Sequence, residues 1–98
     1  MSDSLNTPAI LRVLFCNLKK NAKEEAVNSL FGLYWNDFFG STGLRGTSFI
    51  KYKRNILYLS LENTCRKEFI KNIKEHEKYI KNILGDDFRR IEYGGQNG

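Results

Sequence analysis

Thr47-Ser48-Phe49-Ile50-Lys51-Tyr52-Lys53-Arg54-Asn55-Ile56-Leu57-Tyr58-Leu59-Ser60-Leu61 is the stretch on which the fold turns. In its second half Leu57, Leu59 and Leu61 recur at every other position, the pattern of a strand with one face against a core. In its first half Thr47, Phe49, Lys51 and Lys53 point one way, and Ser48, Ile50, Tyr52 and Arg54 the other. Lys53-Arg54-Asn55 interrupts the alternation as a turn, so the stretch reads as a β-hairpin. The turn carries no Asn-Gly pair, which leaves the register open. Alternation alone does not say whether Phe49 and Tyr52 pack in the core or, with Tyr58, present rings for stacking on bases.

On either side the period is helical. Thr7-Pro8 suits a helix start, with Pro where no amide donor is missed, and Ile10, Leu11, Leu14, Phe15 and Leu18 follow at helical spacing. A second start at Asn21, with Glu24 three residues on, resembles a capping box. Val27, Leu30, Phe31, Tyr34, Trp35 and Phe38 continue as an apolar stripe that Gly40 ends. Gly32 inside it demands compensating packing or a bend. After the hairpin, Asn63 or Thr64 opens the longest predicted helix, which runs to Gly85. Cys65, Phe69, Ile73, His76, Ile80, Ile83 and Leu84 share an arc of about 100° on it. A short strand with Ile91 and Tyr93 on one side closes the pattern. The expected class is α+β, in the order α-α-β-β-α-β, with a three-stranded sheet packed on helices.

Ninety-eight residues accommodate one domain, and 41% apolar against 28% charged residues is a globular composition. A single histidine, His76, excludes a multi-histidine metal site within one chain. Cys16 and Cys65 match no zinc spacing or dense disulfide framework and are expected as small buried apolar groups. The stretch Ala9 to Cys16 is broken by Arg12 and too short for a membrane span, so a cytoplasmic protein with no membrane partner is expected. No GxxxxGK[ST], DxDxDG, HExxH or GxSxG occurs. The expectation is therefore no enzyme, no cofactor, no metal and no small-molecule substrate. Gly40-Ser41-Thr42-Gly43 is a literal GxxG, but it links a helix to a strand and carries Ser-Thr, which favours a cap and turn over a backbone clamp.

Charge is unevenly placed. The net charge is +5, yet residues 1–44 balance to zero, while residues 45–54 carry +4 and residues 63–84 carry +3. The first block supplies Arg45, Lys51, Lys53 and Arg54. In the second, Lys67, Lys71, Lys74, Lys78 and Lys81 recur at spacings of four, three, four and three. On one straight helix they would share an arc of about 80° along about 20 Å, a length over which several phosphates of a nucleic-acid strand lie. Lysines in a row supply affinity and salt dependence rather than base reading. The competing reading is a solvated helix face tempered by Glu75 and Glu77.

Several of these segments, taken together, resemble the DciA-like family of bacterial replicative-helicase loaders or operators, formerly a domain of unknown function. Trp35-Asn36-Asp37-Phe38-Phe39-Gly40 has the W-x4-G spacing that closes the family's second helix. Thr47 to Lys51 resembles its first strand, Ile56 to Asn63 its second strand and helix entry, and Arg66-Lys67-Glu68-Phe69 its next helix. Ile83-Leu84-Gly85 and Ile91-Glu92-Tyr93 also fit, so the resemblance spans roughly residues 10–93. Two positions depart from the pattern: Gly46-Thr47 stands where His-Thr is usual, and Cys65 where an aromatic or large apolar residue is common.

The resemblance implies a KH-like domain over residues 9–93, related in fold to the N-terminal domain of the initiator DnaA, between flexible ends at 1–8 and 94–98. It implies a non-enzymatic replication factor whose partners are DNA, single-stranded or forked, and the replicative helicase. Trp35 would then be a packing anchor, with Leu57, Leu59, Phe69, Ile73 and Ile80 in the core. The nine cations Arg45, Lys51, Lys53, Arg54, Lys67, Lys71, Lys74, Lys78 and Lys81 would form the nucleic-acid surface. Two alternatives remain at this level: a protein-interaction module like the DnaA N-terminal domain without nucleic-acid binding, and an RNA-binding KH-type domain.

Overall fold

The computed structural model describes residues 7–40 and 42–94. The polar opening 1–6, Ser41 of the GxxG loop and the closing residues 95–98 lie outside the described residues. The elements are α1 (Thr7–Cys16), α2 (Lys20–Phe39), β1 (Thr47–Lys53), β2 (Ile56–Leu61), α3 (Asn63–Lys71), α4 (Ile73–Leu84) and β3 (Arg90–Gly94). β1 and β2 form an antiparallel hairpin, and β3 lies parallel to β2 on its other side. A parallel neighbour requires a crossover, which α3 and α4 supply. The chain is thus α+β, with helices against one face of a three-stranded mixed sheet, in an order compatible with a KH-like arrangement.

A two-residue loop closes the hairpin register. Lys53 pairs with Ile56, and Arg54 and Asn55 both take positive φ, 54° and 66°. Such a pair matches the right-handed twist of the flanking strands. Asn tolerates that region readily and Arg does not, so the turn is held from outside. Arg54 N–H donates to Glu24 Oε1 at 3.1 Å, and Asn55 C=O accepts Arg89 N–H at 2.8 Å. Glu24 therefore serves the hairpin rather than a capping box: α2 opens at Lys20 with no side-chain cap.

β1 departs from strict alternation. The register shifts between Phe49 and Lys51, so Ile50 is an unpaired bulge. The inserted residue turns Phe49 and Tyr52, placed on opposite sides by a period of two, to the same core-facing side. Tyr52 is fully buried, and Phe49 packs on Phe31 and Trp35. Ile50 is left exposed.

Phe31 sits at the middle of the core, edge-on to Phe15, Trp35, Phe39 and Phe49 at 5.2–6.0 Å between centroids. α2 buries Val27, Phe31, Trp35 and Phe39 at intervals of four. Its helical geometry breaks at Tyr34 (φ −127°, ψ 15°), two residues after Gly32. Of the α1 side chains described, Leu11 and Phe15 are buried, with Leu18 beyond the helix packed on the core. Ile10, Val13 and Leu14 are exposed, and so is Cys16, contrary to the expectation of a buried thiol. Cys16 lies at the end of the helix, where its Sγ–H donates to Val13 C=O. Cys65 is half-buried.

The single long helix expected over 63–85 is two helices. Asn72 (φ −107°, ψ 22°) separates α3 from α4. Its N–H is shared between the carbonyls of Glu68 and Phe69, and its side-chain amide also donates to Glu68 C=O at 3.1 Å. Asn competes in this way for backbone acceptors and ends regular helix. The break lets each segment meet its own partner: Phe69 of α3 packs edge-on against Tyr93 of β3, whereas α4 lies chiefly along α1.

Candidate nucleic-acid interface

All nine cations singled out by the sequence are exposed: Arg45, Lys51, Lys53, Arg54, Lys67, Lys71, Lys74, Lys78 and Lys81. Among the described residues none of them lies within ion-pair distance of a carboxylate. The ion pairs found there use other cations, Lys23 with Asp87 at 3.5 Å and Arg90 with Glu92 at 2.6 Å.

Their arrangement differs from the single flank expected of the sequence. The break at Asn72 divides the lysine row, leaving Lys67 and Lys71 on α3 and Lys74, Lys78 and Lys81 on α4. These line the outer side of the helical layer, away from Phe69, Ile80, Ile83 and Leu84, which are buried. Lys51 and Lys53 belong to the opposite side of the molecule. Lys51 pairs with Tyr58 and Lys53 with Ile56, whereas Leu57 and Leu59 point to the helices. Successive side chains of a strand alternate in face, so both lysines stand on the outer face of the sheet. Arg54 marks the tip of the hairpin. The positive charge thus forms two surfaces of a two-layer domain.

Arg45, in the loop before β1, joins the helical side. It lines a shallow cleft with Thr42, Gly43, Glu68, Asn72 and His76. Burial holds the His76 imidazole below its usual value, with Glu75 pulling the other way. The ring stacks on Phe69 at 4.5 Å. Thr42 spends its hydroxyl locally, donating to Phe39 C=O at 2.8 Å and accepting Leu44 N–H at 3.1 Å. Those bonds end α2 and turn the chain toward β1.

A second concavity, about 580 Å³, lies between α1 and α4. Arg12, Lys78 and Lys81 line it together with Tyr79, Asn82, Glu75 and Asp86. Arg12 is a cation that counting along the chain missed, because the excess charge lies elsewhere and only the packing of α1 on α4 brings it to the lysine row. Burial also raises the Tyr79 phenol.

Other residues hold this scaffold. Trp35 bridges α2 and the sheet: its indole N–H donates to Thr47 Oγ1 at 3.0 Å, and that hydroxyl donates to Leu44 C=O. Leu57, Leu59, Phe69 and Ile80 are buried, and Ile73 is half-buried against the same core. Gly46, at φ +82°, lies directly against Cys65. The two positions that depart from the DciA-like pattern are therefore in contact, and a side chain at 46 would collide with the Cys65 thiol. Lys23 is buried at 7% exposure and donates to Leu84 C=O at 2.8 Å, so its charge caps the C-terminal end of α4 rather than facing solvent.

Among the described residues, no group of three or more His, Cys, Asp or Glu side chains is placed to hold a metal ion. No helix there is long and apolar enough to cross a membrane. Comparison with protein-family models, with curated proteins and with solved structures finds no match to this chain.

Proposed function

We propose that the chain is a non-enzymatic nucleic-acid-binding module that acts on DNA in replication initiation. The observation that carries this reading is the set of nine exposed cations, none paired with a carboxylate among the described residues. Unpaired surface ammonium and guanidinium groups retain their full attraction for phosphates, whereas an internal ion pair would have to be broken first. The α3–α4 lysines, with Arg45 and Arg12 beside them, form the larger of the two basic surfaces. Lysines in a row act as point charges and favour backbone contact over sequence recognition.

The replicative helicase as partner follows from the DciA-like resemblance. Ile10, Val13 and Leu14, exposed on α1, support a protein contact in addition to DNA, because apolar side chains clustered on one helix mark association surfaces. A labelled forked DNA titrated with the protein at about 50 and about 200 mM salt tests the nucleic-acid reading. Binding at low salt that weakens at least tenfold at the higher concentration is expected. No binding at low salt, with the helicase still captured, would instead favour a pure protein-interaction module.

A further inference from the structure

The outer face of the sheet carries an aromatic ring amid cations, and no charge count along the chain separates it from the lysine row. Three strands place their outward residues in rungs. Lys51, Tyr58 and Glu92 form one rung, and Lys53, Ile56 and Arg90 the next. Ser48 and Ser60 pair beyond them. Tyr58 is therefore central: on the middle strand, half-exposed, with a neighbour on either side. The Lys51 ammonium lies 5.0 Å from the centroid of its ring. Among the described residues three cations stand on this face against one carboxylate, Glu92, which Arg90 already engages at 2.6 Å.

We propose that this face, centred on Tyr58, binds unpaired single-stranded nucleic acid by stacking a base on the Tyr58 ring. Lys51 and Lys53 hold the flanking phosphates, and Arg90, which engages Glu92 through its Nε, reaches them with its terminal amino groups. The proposal rests on the nucleic-acid reading above and assigns to a second surface the strand form it takes. A nucleotide strand needs a π-face and a nearby cation, repeated along its length. Here the two lie within one rung, and the adjoining rung adds Lys53 and Arg90 on either side of Ile56. A base on the ring displaces only an exposed cation–π contact and frees Lys51 for the phosphate of the same nucleotide. Duplex DNA, whose bases are stacked internally, offers phosphates but no base face to this ring. On the helical side the half-buried Tyr79 lines the concavity beside Lys78 and Lys81, but its ring packs edge-on against Phe39, so that side suits backbone contact.

The test is fluorescence anisotropy with labelled (dT)12, (rU)12 and a duplex of 12 base pairs, using the full chain and Tyr58→Leu and Tyr58→Phe variants. Leu keeps an apolar, strand-compatible side chain without the ring, and thermal melts verify that both variants fold. Tyr58→Leu should weaken (dT)12 or (rU)12 binding by about five- to 150-fold, the range for loss of one stacked base, and erase the preference over duplex. Because no phosphate contact is removed, the slope of log affinity against log salt should not change. Tyr58→Phe should restore the preference. Loss with (rU)12 but not (dT)12 would assign the face to RNA, and the reverse to DNA. Equal single-strand affinity for Tyr58→Leu and the parent chain would overturn the stacking face while leaving the lysine surface standing. Failure of the parent chain to bind any of the three would overturn both readings.

Discussion

Replacing Asn28 with Ala should destabilise the domain by about 2–3 kcal/mol, although Asn28 contributes to no surface charge and little apolar packing. β1 is an edge strand, and at Tyr52 its peptide groups face away from β2. The Asn28 side chain meets them like a third strand: Tyr52 N–H donates to Asn28 Oδ1 at 2.8 Å, and Asn28 Nδ2–H donates to Tyr52 C=O at 2.7 Å. Truncation leaves both backbone groups without partners beside a fully buried ring. Each orphaned group costs about 1–3 kcal/mol, toward the lower end here because Asn28 is half-buried and water enters from one side. The better helix propensity of Ala returns up to about 0.7 kcal/mol. For 98 residues the entropy of unfolding near the midpoint is roughly 0.2 kcal/mol/K, so Tm should fall by about 10–15 °C. Urea denaturation followed by circular dichroism gives the free energy, and hydrogen exchange should show the Tyr52 amide losing protection. Asn28→Asp is the sharper control. Its carboxylate can still accept the Tyr52 N–H but sets a second acceptor against Tyr52 C=O, so it should be at least as destabilising at neutral pH. A loss below about 0.5 kcal/mol for Asn28→Ala would refute the reasoning, because then the edge needs no side-chain partner.

Lys23→Met should keep the packing of the aliphatic stem but leave Leu84 C=O uncapped and Asp87 without its cation; urea midpoints should report a loss of about 1–3 kcal/mol. Burial, aided by Asp87 and Glu24, pushes the Tyr52 phenol up to about 12, above its ordinary value of 10.0. The folded state thus resists deprotonation that the unfolded chain undergoes freely. The resulting stability is complete below pH 10 and is lost as pH rises toward about 12. Urea midpoints measured from pH 9 upward should therefore fall, and less steeply in Tyr52→Phe.

Apolar periodicity made much of the fold legible. The leucines of β2 mark its buried face, and Phe69, Ile80 and Ile83 mark the inward side of α3 and α4. Features set by tertiary hydrogen bonds were not legible. Nothing local announces that Glu24 holds a turn 30 residues away, or that Asn28 serves as the outer partner of β1. The bulge at Ile50 is hidden for the same reason, since a period of two contains no sign of an inserted residue until a paired strand supplies the register. Asn72 is a weak helix former, but ending the helix there also depends on α3 and α4 packing against different partners. The candidate surface shows the same division. Composition finds the cations, but only the strand register places Lys51 and Lys53 on the side opposite the helical lysines, next to Tyr58. Arg12 joins the helical lysines only through the packing of α1 on α4.

The most direct test of the central claim, that exposed unpaired cations of α3 and α4 meet nucleic-acid phosphates, is a paired salt titration. The parent chain and the triple variant Lys71→Gln, Lys74→Gln, Lys78→Gln would be titrated onto the same forked DNA across a series of salt concentrations. Each neutralised phosphate contributes about 0.7–0.9 to the slope of log affinity against log salt, so the variant's slope should be shallower by about two to three. A variant that binds with the parent slope would contradict the account.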